Sequence, residues 1–152
     1  MSIHKRGFTL IELLVVLALI AFLSTVSVLA LGSARESSRD SKRLSDLKQL
    51  QGSLEWYYTN VGSYPVAPTG VALGIDANGT SCLDKDGGFE AKADCDMNSD
   101  DTYMGIVPVD PGSYNYIYNS VDGASYTVVA TLEGQINNLG PGNITLSPSG
   151  IQ

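Results

Sequence analysis

A run of 24 residues, Phe8–Leu31, is apolar almost without interruption and carries one carboxylic acid, Glu12. As a helix it would be about 36 Å long, against a bilayer hydrocarbon core of about 30 Å. That length and composition read as a membrane-spanning helix. About 120 residues remain for a soluble part, enough for one small domain with a modest core. Glu12 is out of place in such a segment. An ionisable group in a spanning helix costs about 2.5–3.5 kcal/mol near the centre and less near the end, so function is the default explanation for it.

Other N-terminal signals fit less well. A general secretory signal has an apolar core of about 7–15 residues followed by a small-residue cleavage site. Val28-Leu29-Ala30 resembles the end of such a site, but the run is too long and Glu12 is left unexplained. No cysteine stands directly after the run, which removes a lipoprotein signal. Loop charge does not fix the orientation: Lys5 and Arg6 precede the span, whereas Arg35, Arg39, Lys42 and Arg43 follow it. Long C-terminal domains translocate largely regardless of such charges.

The stub Met1–Gly7, then Phe8-Thr9-Leu10-Ile11-Glu12 and the apolar run, resembles the class III leader of type IV pilins and type II secretion pseudopilins. The resemblance implies cleavage by a prepilin peptidase after Gly7 and N-methylation of Phe8. It also implies that Glu12 meets the charged amine of a neighbouring subunit during assembly. Elementary physics agrees, because a carboxylate in the first helical turn is favoured by the helix dipole. An unpaired acid in a low-dielectric bundle is penalised, so pairing would select the partner. Later stretches carry the same resemblance toward the major pseudopilins: Arg39–Leu47 with Tyr57-Tyr58, Gly62-Ser63-Tyr64-Pro65, and Ile106–Pro111 leading into Tyr114–Tyr118.

No proline interrupts the chain between the span and Pro65. Leu44, Leu47, Leu50 (or Gln51), Leu54, Tyr58 and Val61 recur at three- and four-residue steps, predicting a helix with one buried face. One helix from about Phe8 to about Thr59 follows, with Gly32 a place where it could bend or melt. Gly62 and Pro65 end it. Residues 66–105 show no period and read as a long ordered loop. Tyr114, Tyr116 and Tyr118 share one strand face, and Tyr126, Val128, Ala130 and Leu132 another. Asp122-Gly123 between them suits a two-residue hairpin turn within 114–133. Asn143–Ser147 is a further strand, with order ending at Pro148 and Gly150. The three tyrosines either pack against the helix or form an exposed ladder for sugar or another subunit.

The expected fold is therefore α+β and pilin-like, with a long helix packed on a small antiparallel sheet and a disulfide-pinned loop. Its segments are a leader at 1–7, a membrane and assembly half of the helix at 8–31, an amphipathic half at 32–61 and a globular head at 62–152. An even cysteine count in an exported head reads as one disulfide between Cys82 and Cys95, with two buried thiols as the other reading. In many type IV pilins a disulfide closes a region near the C-terminus, so a pair in mid-chain is a departure.

Charge and composition narrow the chemistry. The only histidine is His4, in the leader, so the processed chain has no imidazole for a nucleophile triad or a histidine zinc site. Beyond Lys48 there are 12 acids against Lys85 and Lys92, an acidic head that disfavours direct nucleic-acid contact. Asp94, Asp96, Asn98 and Asp100 alternate as the first ligands of a calcium loop do, but Ser99 and Gly105 stand where glycine and a bidentate glutamate belong. Calcium is the one ligand with a candidate loop, against a solvated acidic loop, and no cofactor is required. The acidic site that many major pseudopilins place after the hairpin has no counterpart, because Gly134–Asn143 holds no acid. The chain reads as a non-enzymatic filament subunit. The primary expectation is a pilus subunit and the alternative a major pseudopilin, with a membrane-tethered ligand-binding domain as a remote rival. The resemblance implies as partners the prepilin peptidase, identical or related subunits, and an inner-membrane platform with its ATPase. The head would lie outside the cytoplasm, first on a single-pass anchor and then in a filament.

Overall fold

The structure is a computed structural model and describes residues 7–95 and 101–152. One helix, α1 (Leu10–Val61), is 52 residues long and stays helical through Gly32, where bending or melting was an option. The chain divides into two compact units, Met1–Glu36 and Ser37–Gln152, and α1 contributes to both.

In the first unit, no described side chain from Phe8 to Arg35 is covered by any other part of the chain. The helix is long and apolar enough to cross a membrane. Its few hydroxyls are satisfied locally. Ser24, Thr25 and Ser27 donate to the carbonyls of Ile20, Phe22 and Leu23 at 2.7–2.8 Å, which spares apolar surroundings an unpaired donor.

In the second unit, α1 stops where the sequence indicates. Gly62 takes φ +86° and its N–H bonds back to the Tyr58 carbonyl at 2.8 Å, satisfying an end-of-helix carbonyl. Among the described residues eight strands follow: β1 (Ala67–Ala72), β2 (Cys82–Asp84), β3 (Gly88–Glu90), β4 (Thr102–Met104), β5 (Ile117–Ser120), β6 (Thr127–Leu132), β7 (Gly142–Ser147) and β8 (Gly150–Ile151). They form an antiparallel five-stranded sheet in the order β1-β5-β6-β7-β8 and a small sheet in the order β3-β2-β4. The expected loop over 66–105 thus contains four short strands. β1 reaches across the chain to pair with β5, with Val71 opposite Tyr118. Three of the four are only three residues long, too short to show a period of two, which is why they read as loop.

The core lies between α1 and the larger sheet. Leu47, Leu50 and Leu54 are fully buried, and Tyr57, not Tyr58, takes the next inward position. Tyr58 and Val61 are exposed. Tyr118 stands opposite Val128, so Tyr116 and Tyr118 share the buried face with Tyr126, Val128, Ala130 and Leu132 rather than occupying another. Packing claims two of the three tyrosines; Tyr114 stays exposed, so there is no three-tyrosine ladder on the surface. Asp122-Gly123 is not a two-residue turn, because the last registered pair is Asn119 with Thr127. The connection is wider, and Gly123 sits at φ +77° with its carbonyl accepting from Tyr64 N–H at 2.8 Å. A Cβ there would come within 2.9 Å of the Tyr64 backbone oxygen, so this contact with the end of α1 requires glycine. Order also continues past Pro148, since Gly150–Ile151 folds back onto Leu146 and Ser147.

Candidate functional site

The start of α1 presents the residues singled out for processing and assembly. Gly7, Phe8 and Thr9 precede the helix in irregular conformation. Phe8 is 82% exposed, and nothing lies within 4 Å of where a Cβ on Gly7 would be. Among the described residues nothing crowds the peptide bond between them. Thr9 and Glu12 form a reciprocal cap: Glu12 Oε2 accepts from Thr9 N–H at 2.8 Å and from its hydroxyl at 2.7 Å, while Thr9 Oγ1 accepts from Glu12 N–H at 3.3 Å. The Thr-x-x-Glu spacing was legible in the sequence, and its use as a cap was missed there. A shallow groove of about 350 Å³ beside it is lined by Phe8, Ile11, Glu12, Val15 and Val16, apolar except for the one carboxylate.

A second constellation lies in the head and escaped sequence reading. Arg43 is fully buried on α1. Its guanidinium donates to Asp110 at 2.6 and 2.8 Å, to Asp40 at 2.7 Å and to Glu133 at 2.7 Å, with the Tyr114 ring 5.4 Å away. Arg39 also donates to Glu133, at 2.7 Å from Nε. Asp40 is satisfied further by the N–H groups of Glu133 and Gly134, at 3.0 and 2.8 Å, where β6 ends. One turn on, buried Asp46 accepts from the hydroxyl of Tyr116 at 3.0 Å and from Lys42. The network ties α1 to the 107–112 segment and to the exit of β6.

Electrostatics follow from this geometry. The hydrogen bond that Arg43 donates to Asp110, opposed by burial, raises the Arg43 pKa and keeps it charged. Burial pushes Asp110 up, but the Arg43 hydrogen bond and the Gly112 N–H outweigh it and leave the carboxyl below its ordinary value. Arg39 and then Arg43 hold Glu133 down at about 2. Burial raises the Tyr116 phenol, and the Asp46 charge raises it further. These are groups locked in one ionisation state around neutral pH, not groups poised to exchange protons. The arrangement is suited to holding three segments in register, not to acid–base catalysis.

The acidic corner is the third cluster. Cys82 and Cys95 form a disulfide with Cα atoms 6.5 Å apart. Beside it, carboxylate oxygens of Asp84 and Glu90 lie within 4.8 Å of each other and of Cys95. The Cys95 sulfur is committed to the disulfide, so two carboxylates remain as oxygen ligands. Burial, and then the charges of Asp84 and Asp94, raise the Glu90 pKa. Asp94 is exposed; Asp96, Asn98 and Asp100 lie outside the described residues.

Comparison with known proteins places this geometry. A family model described as the prokaryotic N-terminal methylation motif matches residues 3–32. The chain is 28% identical over 140 residues to the type II secretion system core protein G of Escherichia coli (strain K12), covering 90% of this chain and 92% of that protein. It is 33% identical over 74 residues to the protein of the same name in Klebsiella pneumoniae, covering 49% and 53% of the two chains. The Dickeya chrysanthemi protein of that name gives 31% over 71 residues, 47% and 46%. In the last two comparisons the match spans about half the relative's length. No solved structure matches the chain. The chain thus joins a prokaryotic N-terminal methylation motif to one long apolar helix and an α+β head, and along most of its length it is similar to a type II secretion system core protein G.

Proposed function

We propose that this chain is a major-type pseudopilin, a structural subunit that polymerises through its N-terminal helix into a short filament of a type II secretion system. One observation carries the reading: the similarity to core protein G of a type II secretion system extends over 90% of the chain, far beyond the N-terminal motif. The pilus subunit, the primary expectation from sequence, is compatible with the same motif, but the relatives favour the pseudopilin. A prepilin peptidase would cut after Gly7, which is open, and methylate Phe8. The new Phe8 ammonium would then lie at a helix start. A neighbour's ammonium is a charge-assisted partner for Glu12 and stronger than the Thr9 amide that now occupies it. The exposed apolar face of residues 8–31 would pass from lipid into contact with related subunits. The precursor would be anchored in the cytoplasmic membrane and the polymer would lie in the periplasm, built by an inner-membrane platform and its ATPase.

Glu12→Leu tests this. The expected outcome is a chain with the processed mass, a filament yield at least about tenfold lower and lost export of secreted proteins. Wild-type assembly by the variant would remove Glu12 from the mechanism. Intact export after deletion of the whole chain, with loss of a surface filament, would return the reading to a pilus.

Calcium at the acidic corner is a secondary proposal, supported by the convergence of Asp84 and Glu90 near Asp94. A melting temperature raised by millimolar calcium, the range typical of extracellular sites, would favour it. No shift would leave a solvated acidic loop.

A further inference from the structure

The head carries one groove whose character contradicts its surroundings. It measures about 550 Å³ and runs along the 105–111 segment, lined by Lys42, Lys92, Ile106, Pro108, Val109 and Pro111. Ile106 is 71% exposed and Val109 56%, so an apolar floor faces solvent. Lys92 is one of only two basic residues beyond Lys48, against 12 acids, and among the described residues its ammonium has no ion-pair partner. The acid in the groove wall, Asp110, is turned inward onto Arg43. An apolar trough edged with lysines on an acidic head fits an occupant that combines an apolar side chain with a carboxylate.

The same head displays such a pair. Val121 is 69% exposed and Asp122 is exposed beside it, at the tip of the β5–β6 connection. Gly123, bonded to Tyr64, pins that tip to the residues just past Val61, whereas the groove is pinned to Arg43 through Asp110. Arg43 and Val61 are separated by about 27 Å of helix. Groove and tip therefore lie near opposite ends of the helical part of this unit, and one molecule cannot satisfy its own groove. A contact between unlike patches at opposite ends does not close on itself and propagates as an open polymer.

We propose that the groove receives the Val121–Asp122 tip of a second copy of this chain, with Val121 on Ile106 and Val109, and Asp122 facing Lys92 and Lys42. The inference rests on the polymeric reading above and adds to it a head-to-head contact separate from the Glu12 contact. Burial of apolar surface at the trough supplies the attraction, and the opposite charges set which end meets which. Because the charges sit at an exposed rim, the contact weakens with salt.

The test uses the full-length chain expressed in its own envelope. Ile106→Cys with Val121→Cys in one chain is expected to give, after mild oxidation, a ladder of covalent multimers in the filament fraction. Either single variant should yield no ladder. Lys92→Glu should lower filament yield about tenfold, and Lys92→Glu with Asp122→Lys should restore it. The native Cys82–Cys95 disulfide, assayed in every variant, reports that the head is folded. Filaments that form without a ladder, with Lys92→Glu at wild-type yield, would overturn this contact and leave the polymer reading standing. Failure of the unmodified chain to polymerise at all would overturn both.

Discussion

The two halves of α1 invert the usual rule about what is inside. From Phe8 to Arg35 the described side chains, mostly leucine, valine, isoleucine and phenylalanine, have no cover within the chain. From Asp40 onward three charged residues, Asp40, Arg43 and Asp46, are as completely buried as the leucines beside them. On the proposed reading, the apolar half is uncovered because its cover is supplied from outside the chain, by lipid or by other subunits. Those three charges are buried because each finds an opposite charge or a backbone donor, without which burial would be prohibitive. One helix is thus designed for an external apolar partner along part of its length and for a fixed internal partner along the rest.

The comparison breaks first at Arg43. Arg43→Met removes the shared partner of three carboxylates and is expected to destabilise the head by about 3–5 kcal/mol, read by urea unfolding of the full chain in detergent. A loss below about 1 kcal/mol would mean the network is not structural. Leu50→Ala, at a fully buried site, should cost about 2–5 kcal/mol in the same assay. Leu17→Ala, in the exposed half, should leave head stability within about 0.5 kcal/mol while impairing assembly. Equal effects on head unfolding from the two leucines would erase the distinction. Reduction of Cys82–Cys95 should cost about 3 kcal/mol, as expected for a closed loop of this size.

The smallest effect is on pH. Glu133 is held at about 2 against an ordinary 4.5, so its contribution is fully present above pH 4.5 and is lost as pH falls toward 2. Asp110, also lowered, adds to the same acid-side loss. Glu133→Gln should flatten the fall in melting temperature through that window. An unchanged slope would show that the Arg39 and Arg43 pairing does not set it.

Much of this molecule was legible because its signals are local. The apolar run, the leucine stripe, the Gly62–Pro65 stop and the alternation of β6 and β7 each lie within a window of a few residues. The charge network was not legible, because Arg43 meets Asp110 and Glu133 across separations of 67 and 90 residues, and no local period marks a charged residue as buried. The two arginines, the lysine and the acids of 39–46 look like a solvated helix face until the sheet returns against them. Tyr57 took the inward place given to Tyr58 for a related reason, since the helix periodicity alone leaves the buried face uncertain by one position and packing against Tyr103 decides it. The three-residue strands β2, β3 and β4 were missed because their order comes from the disulfide and from each other rather than from propensity. At the N-terminus the Thr9–Glu12 cap adds a local role for Glu12 that the membrane argument alone does not require.

The central claim is that the uncovered half of α1 belongs to a processed, polymerising subunit. The most direct test is the intact mass of the protein recovered from membranes and from the periplasmic filament fraction, with its N-terminal peptide sequenced. The account predicts a chain beginning at N-methylated Phe8 in the membranes, with the same processed chain in the polymer. A chain retaining Met1–Gly7 in both fractions would contradict it and leave a tethered domain that never assembles.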